Sequence, residues 1–64
     1  MPLLMLIERF LKRSGLPPAR FGREACGDPQ FVFDLRRGRR PGERMVARIL
    51  DFINREEGGK HAGR

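Results

Sequence analysis

Residues 27–41, GDPQFVFDLRRGRRP, decide the fold, because they combine a tight turn, a short helix with both ends marked, and a basic exit loop. Asp28 is a side-chain acceptor suited to the N-cap, and Pro29 suits the first helical position, where its missing N–H would have no intrahelical partner. Gly38 can adopt the left-handed conformation that ends helices, and Pro41 prevents the helix from resuming. The stretch therefore predicts a central helix that starts at or next to Pro29 and ends just before Gly38.

The central helix is predicted to have one buried and one presented side. Val32 and Leu35 are three residues apart and therefore share a face, which we expect to join the core. Phe33 is also expected to close the core, over the last helix. The residues predicted to point elsewhere are Gln30, Phe31, Asp34 and Arg37.

Three further helices are predicted around the central one. An apolar stripe with charged residues opposite it indicates a helix over 3–13, and a broad apolar stripe indicates another over 43–55. Between them, a helix is expected from about Pro18 to Cys26. Gly22 lies inside that helix at a cost of roughly 1 kcal/mol relative to alanine, which is best explained by the close approach of another backbone.

The chain length and the cysteine content bound the architecture. Sixty-four residues allow one small core. The single cysteine, Cys26, permits no intramolecular disulfide and is expected to be a small packed residue. The sequence thus predicts an all-α, compact four-helix domain over 1–56, followed by a disordered basic tail over 57–64, where apolar periodicity is absent.

Basic residues are concentrated in the second half of the chain. The formal net charge is +6, with five basic and four acidic residues up to residue 35 and nine basic and four acidic residues after it. Arginine at this density favours phosphate, because its planar guanidinium pairs bidentately with anionic oxygens. A solvated basic surface without a ligand is the alternative. Charge alone does not name the polyanion.

Several functional classes are disfavoured by the sequence. The longest apolar run, residues 3–7, is far shorter than the roughly 20 residues that span a bilayer, and no basic segment precedes it as in a secretory signal. We therefore expect a cytoplasmic protein without a membrane partner. No nucleophile and base pair, carboxylate dyad, phosphate-binding loop or metal set is apparent, which predicts a protein that is not an enzyme and has no cofactor, metal or small-molecule ligand.

The order of predicted elements resembles the lambda-repressor-like (XRE-class) helix-turn-helix proteins over residues 3 to about 55. Their turn glycine falls on Cys26 here and is followed by Gly27, which indicates a turn displaced by one residue. The positions that match the family pattern without gaps are Leu16, Phe21-Gly22, Val32, Leu35, Arg37-Gly38 and Pro41.

The resemblance implies sequence-specific binding of double-stranded DNA by a transcriptional regulator, and regulation favours a homodimer because one helix reads few base pairs. Candidate base contacts are Gln30, Phe31, Asp34 and Arg37. Candidate phosphate contacts are Arg20, Arg23, Arg36, Arg39, Arg40 and Arg44. Candidate dimer-interface residues, taken from the apolar excess, are Leu3, Leu4, Met5 and Phe52.

The role of Asp34 stays open between accepting a hydrogen bond from cytosine and holding an arginine, either Arg37 or a neighbour. For the whole chain, the alternative function is a small protein-interaction module, such as a phage or plasmid accessory factor or an antitoxin-like partner, that uses its basic surface on an acidic protein. RNA binding is a third interpretation. It is disfavoured by the lack of an aromatic stacking platform.

Overall fold

The computed structural model describes residues 3–62, with side chains as far as residue 57, and this part of the chain forms four helices and no strand. The helices are α1 (Leu3–Ser14), α2 (Pro18–Cys26), α3 (Phe31–Arg36) and α4 (Glu43–Ala62). α3 packs against α2 and α1, and α4 packs against α2. The predicted all-α, four-helix fold is confirmed.

Three phenylalanine rings from three different helices meet in the core. The ring centroid of Phe21 on α2 lies 5.6 Å from that of Phe10 on α1 and 5.5 Å from that of Phe52 on α4. Phe10 and Phe52 are 6.1 Å apart with nearly perpendicular rings, an arrangement that aromatic pairs favour. The other buried apolar residues are Ile7, Leu11, Ala25, Cys26, Phe31, Val32, Leu35, Ile49 and Ile53.

The central helix ends as predicted. Gly38 has a φ of 106°, and its N–H donates to the carbonyl of Leu35 at 3.0 Å. The N–H of Arg39 donates to the carbonyl of Asp34 at 2.9 Å. These two bonds form a Schellman motif, which satisfies the last carbonyls of α3 and turns the chain sharply toward α4.

The start of the central helix differs from the prediction. α3 begins at Phe31, and the position before it belongs to Gln30, which makes no side-chain cap. Asp28 instead accepts the N–H of Gln30 on its carboxylate at 3.0 Å, and its carbonyl accepts the N–H of Phe31 at 3.0 Å. The expected capping acid and proline therefore form a β-turn ahead of the helix, because Pro29 is also well suited to the second position of such a turn.

The close backbone approach predicted at Gly22 is confirmed. The N–H of Asp28 donates to the carbonyl of Gly22 at 3.1 Å. A methyl group at Gly22 would overlap the carbonyl oxygen of Asp28 and contact the Cβ of Phe31. The left-handed residue between α2 and α3 is Gly27, with a φ of 75°, rather than Cys26. Glycines thus set both the turn and the distance between the two helices.

The last helix extends beyond its predicted end at residue 55, as far as Ala62. The sequence predicts a disordered tail over residues 57–64. From residue 58 onward this tail lies outside the residues whose side chains are described. None of the helices within residues 3–62 combines the length and the apolar character that a membrane-spanning segment needs.

Candidate nucleic-acid interface

The orientation of α3 differs from the prediction at its two phenylalanines. Val32 and Leu35 are buried as expected. Phe31, predicted to face outward, is fully buried with no exposed surface, whereas Phe33 is only half-buried. The prediction for Phe31 as a base contact is therefore wrong. Its Cβ lies at the close approach of α2 and α3 around Gly22, so its ring is covered.

The outward side of α3 carries a row of three polar residues. Gln30, Asp34 and Arg37 are spaced i, i+4 and i+7, and the flanking residues 30 and 37 retain helical dihedral angles. This spacing places the three side chains on one face over about 10 Å. Gln30 and Arg37 are exposed, and Asp34 is partly exposed. Three of the four predicted base contacts are thus brought together.

Arg39 is held by two carboxylates and an aromatic ring. Its Nη1 donates to Asp28 at 3.0 Å and to Asp34 at 3.1 Å. Its guanidinium lies 5.2 Å from the centroid of the Phe31 ring, within cation–π range. The hydrogen bond from Arg39, reinforced by the N–H of Gln30, lowers the pKa of Asp28. Arg39 therefore connects the turn before α3 to the helix itself.

Two other predicted phosphate contacts also have carboxylate partners. Arg36 donates from Nε and Nη2 to both oxygens of Glu8 on α1, at 2.7 and 2.9 Å. This hydrogen bond lowers the pKa of Glu8, and it joins α1 to α3 through two residues that are 28 positions apart in sequence. Arg20 pairs within α2 with Glu24 at 2.8 Å. Arg36 therefore contributes to the tertiary structure, and Arg20 to its own helix, before any ligand is bound.

We expect the stability of the fold to decrease as the pH falls below neutrality through the folded-state pKa values of Asp28 and Glu8. Both pKa values are lowered in the folded protein, so the unfolded chain binds protons more readily and acid favours it. Urea unfolding at pH 7, 5 and 3 measures this dependence. Asp28→Asn should make the dependence shallower, and an unchanged dependence would contradict the assigned role of the Arg39 contact.

Six exposed arginines have no ion-pair partner within the described residues. One of them, Arg9, lies on α1. The other five are Arg23, Arg37, Arg40, Arg44 and Arg48. Three of them, Arg23, Arg40 and Arg44, are among the predicted phosphate contacts. These five flank α3 in the chain, on the preceding helix, in the exit loop and on the first turns of α4.

Arg48 is a candidate that the sequence-based selection of site residues omitted. It lies one turn after Arg44 on α4, and this i, i+4 spacing is the signal that indicates it. Its positive charge opposes the rise in the pKa of the Cys26 thiol that burial causes. Cys26 itself is packed as predicted: its thiol donates to the carbonyl of Gly22 at 3.3 Å, and burial raises its pKa.

The candidate dimer residues divide into two groups. Leu3 and Leu4 are half-buried against the core, and Met5 is 53% exposed. Phe52 is only 8% exposed because it packs between two other core rings, so its prediction as an exposed interface residue is wrong. Leu50, which was not predicted, is 40% exposed on α4.

The function of this chain has to be assigned from its own residues, because comparison with known proteins identifies no relative. Nothing matches this chain among protein-family models, curated proteins or solved structures. The outward row of α3 and the four unpartnered arginines that precede and follow it in the chain, Arg23, Arg40, Arg44 and Arg48, are therefore the basis for assigning a function.

Proposed function

We propose that this chain binds double-stranded DNA through a helix-turn-helix formed by α2 and α3, as a transcriptional regulator resembling the lambda-repressor-like (XRE) class. One observation carries the proposal: four exposed arginines without carboxylate partners in the described residues precede and follow, in the chain, a short helix that has a polar outward row. Unpaired arginines are suited to phosphate, and a helix presented between them is suited to the major groove.

In this proposal Gln30 and Arg37 contact base edges. They lie at the two ends of the outward row of α3, about 10 Å apart, which corresponds to about three base-pair steps. The amide of Gln30 can donate to and accept from adenine, and the guanidinium of Arg37 can donate twice to guanine. Both side chains are exposed, so neither has to leave a core position to reach DNA.

The phosphate contacts in this proposal are Arg23, Arg40, Arg44 and Arg48. The absence of a carboxylate partner in the described part of the chain favours these four. Arg20, Arg36 and Arg39 would have to exchange or share their intramolecular partners to bind phosphate. We therefore assign Arg36 and Arg39 to orienting α3.

A salt titration tests this assignment. Four phosphate contacts predict a slope of log K against log[salt] near about −3.6, and replacing both Arg44 and Arg48 with alanine should reduce it to about −1.8. The same replacement should weaken binding about 10- to 100-fold at moderate salt. Fluorescence anisotropy with a labelled duplex measures both quantities.

The double variant Arg9→Ala, Lys12→Ala is the matched control, because it removes two exposed, unpartnered charges from α1. It should leave the slope close to that of the unmodified protein. Equal effects of the two double variants would mean that net charge, and not this surface, determines affinity. A wild-type slope near zero would contradict phosphate binding by these arginines and favour docking on an acidic protein.

We further propose that the protein acts as a homodimer, since dimers address two half-sites about 34 Å apart. Met5 and Leu50 are the large apolar side chains most exposed within the described residues. Random-site selection should yield palindromic half-sites, and light scattering should report twice the chain mass. Selection of single, unpaired sites together with a monomeric mass would contradict the dimer.

A further inference from the structure

We infer that Asp34, positioned by Arg39, selects a cytosine·guanine base pair in the DNA site, an inference that rests on the proposed function. Asp34 occupies the middle of the outward row of α3, between Gln30 and Arg37. A carboxylate facing DNA is repelled by phosphates unless its charge is partly compensated and it finds a hydrogen-bond donor on the DNA.

The two carboxylates that Arg39 contacts differ in whether one oxygen remains free to accept a further hydrogen bond. Asp28 uses both oxygens, one for Arg39 and the other for the N–H of Gln30. Asp34 uses Oδ2 for Arg39, and its Oδ1 has no hydrogen bond within the described residues. Asp34 is therefore the carboxylate with an oxygen free to accept a hydrogen bond from a ligand.

Arg39 fixes the position of Asp34 twice. Its backbone N–H donates to the carbonyl of Asp34 at 2.9 Å, and its Nη1 donates to the carboxylate of the same residue at 3.1 Å. The guanidinium is in turn held against the ring of Phe31 and by Asp28. The side chain of Asp34 is thereby oriented before binding, and part of its charge is compensated, which lessens repulsion by phosphates.

A carboxylate discriminates between the base edges of the major groove because it accepts hydrogen bonds and donates none. The donors on that edge are the amino groups of cytosine and adenine. Adenine presents its N7 acceptor beside the amino group, which repels a carboxylate, whereas cytosine has no acceptor there. Asp34 should therefore favour cytosine, and a cytosine·guanine pair should lie between the base pairs read by Gln30 and Arg37.

Random-site selection with purified protein and its variants tests the inference. The wild type should select cytosine at one position between the positions read by Gln30 and Arg37. Asp34→Ala should reduce the preference for cytosine over the other bases at that position by about 5- to 150-fold. Asp34→Asn should shift the preference there toward adenine, because asparagine both donates and accepts.

Asp51→Asn is the matched control. It removes the same charge from an exposed acid that pairs with Arg55 on α4 at 3.5 Å. It should leave the selected sequence unchanged. Retention of the cytosine preference in Asp34→Ala, or its equal loss in Asp51→Asn, would overturn the role assigned to Asp34.

The positioning role of Arg39 requires a separate readout. Arg39→Gln should weaken the preference at the cytosine position more than at the Gln30 position, in protein whose helical circular dichroism is unchanged, and Arg39→Lys should restore part of it. Equal loss at all positions would identify Arg39 as merely structural and overturn its positioning role.

The inference and the proposed function fail in different ways. Salt-dependent DNA binding without a selected cytosine in the wild type would overturn the inference and leave DNA binding standing. Absence of binding to any duplex at low salt would overturn both.

Discussion

Phe52→Ala is expected to lower the free energy of unfolding by about 3–5 kcal/mol, because it removes one of three rings that meet in the core. A domain of this size has a total stability of only about 3–10 kcal/mol, so the variant should be largely unfolded at moderate urea concentrations. Urea unfolding followed by circular dichroism measures the loss.

Leu50→Ala is the matched control, because Leu50 lies two residues away on the same helix and is 40% exposed. It should cost less than 1.5 kcal/mol, within the range of partly exposed apolar contacts. The effect of Phe52→Ala should also be independent of protein concentration. A loss that appears only at low concentration would place Phe52 in a subunit interface instead.

The burial of Phe52 shows a limit of predicting buried residues from hydrophobic periodicity. Residues 45, 46, 49, 50 and 53 form a stripe on α4, and Phe52 lies at its edge. The edge residue is buried because Phe10 and Phe21 fill the space beside it, whereas Leu50 within the stripe remains partly exposed. Which side of a broad stripe is covered depends on neighbouring helices, and that information is not local.

The same limit applies to the two phenylalanines of α3. A helix of six residues has fewer than two turns, so Val32 and Leu35 alone leave the core direction loosely defined. The contact of α2 with α3 at Gly22 decides it in favour of Phe31. The sequence indicates this contact through the cost of Gly22 in a helix, although it does not show which side chain the contact covers.

Some local end signals predict the fold well. The left-handed Gly38 and the extent of α2 agree with their local signals, because each depends on residues within one or two turns, whereas the start of α3 does not follow the signal of Asp28 and Pro29. The partners of Arg36 and Arg39 are not predictable in this way. Glu8 is 28 residues from Arg36, and only the folded chain brings the two together.

Pairing of arginines changes which of them are candidates for a ligand. In the sequence Arg39 and Arg40 are equivalent candidates, because both directly follow α3. In the folded protein Arg39 is shared by two carboxylates, and Arg40 has no carboxylate partner within the described residues. The candidate DNA surface is therefore defined by the arginines that folding leaves unpartnered.

Gly22→Ala is expected to destabilise the fold by about 1–3 kcal/mol, even though alanine is the better helix former by about 1 kcal/mol. The added methyl group would overlap the carbonyl oxygen of Asp28, so the turn has to move away from α2. That movement should also displace α3 and weaken any DNA binding that depends on its position. Urea unfolding and anisotropy with a labelled duplex measure the two effects.

Arg23→Ala, at the next position of α2, separates packing from helix propensity. Arg23 is exposed and has no ion-pair partner among the described residues, so its replacement should change stability by less than about 0.5 kcal/mol. It should reduce the salt slope of DNA binding by about 0.9, through loss of one phosphate contact. If Gly22→Ala were as stable as the wild type, the two backbones would separate at little cost, and Gly22 would not set the position of α3.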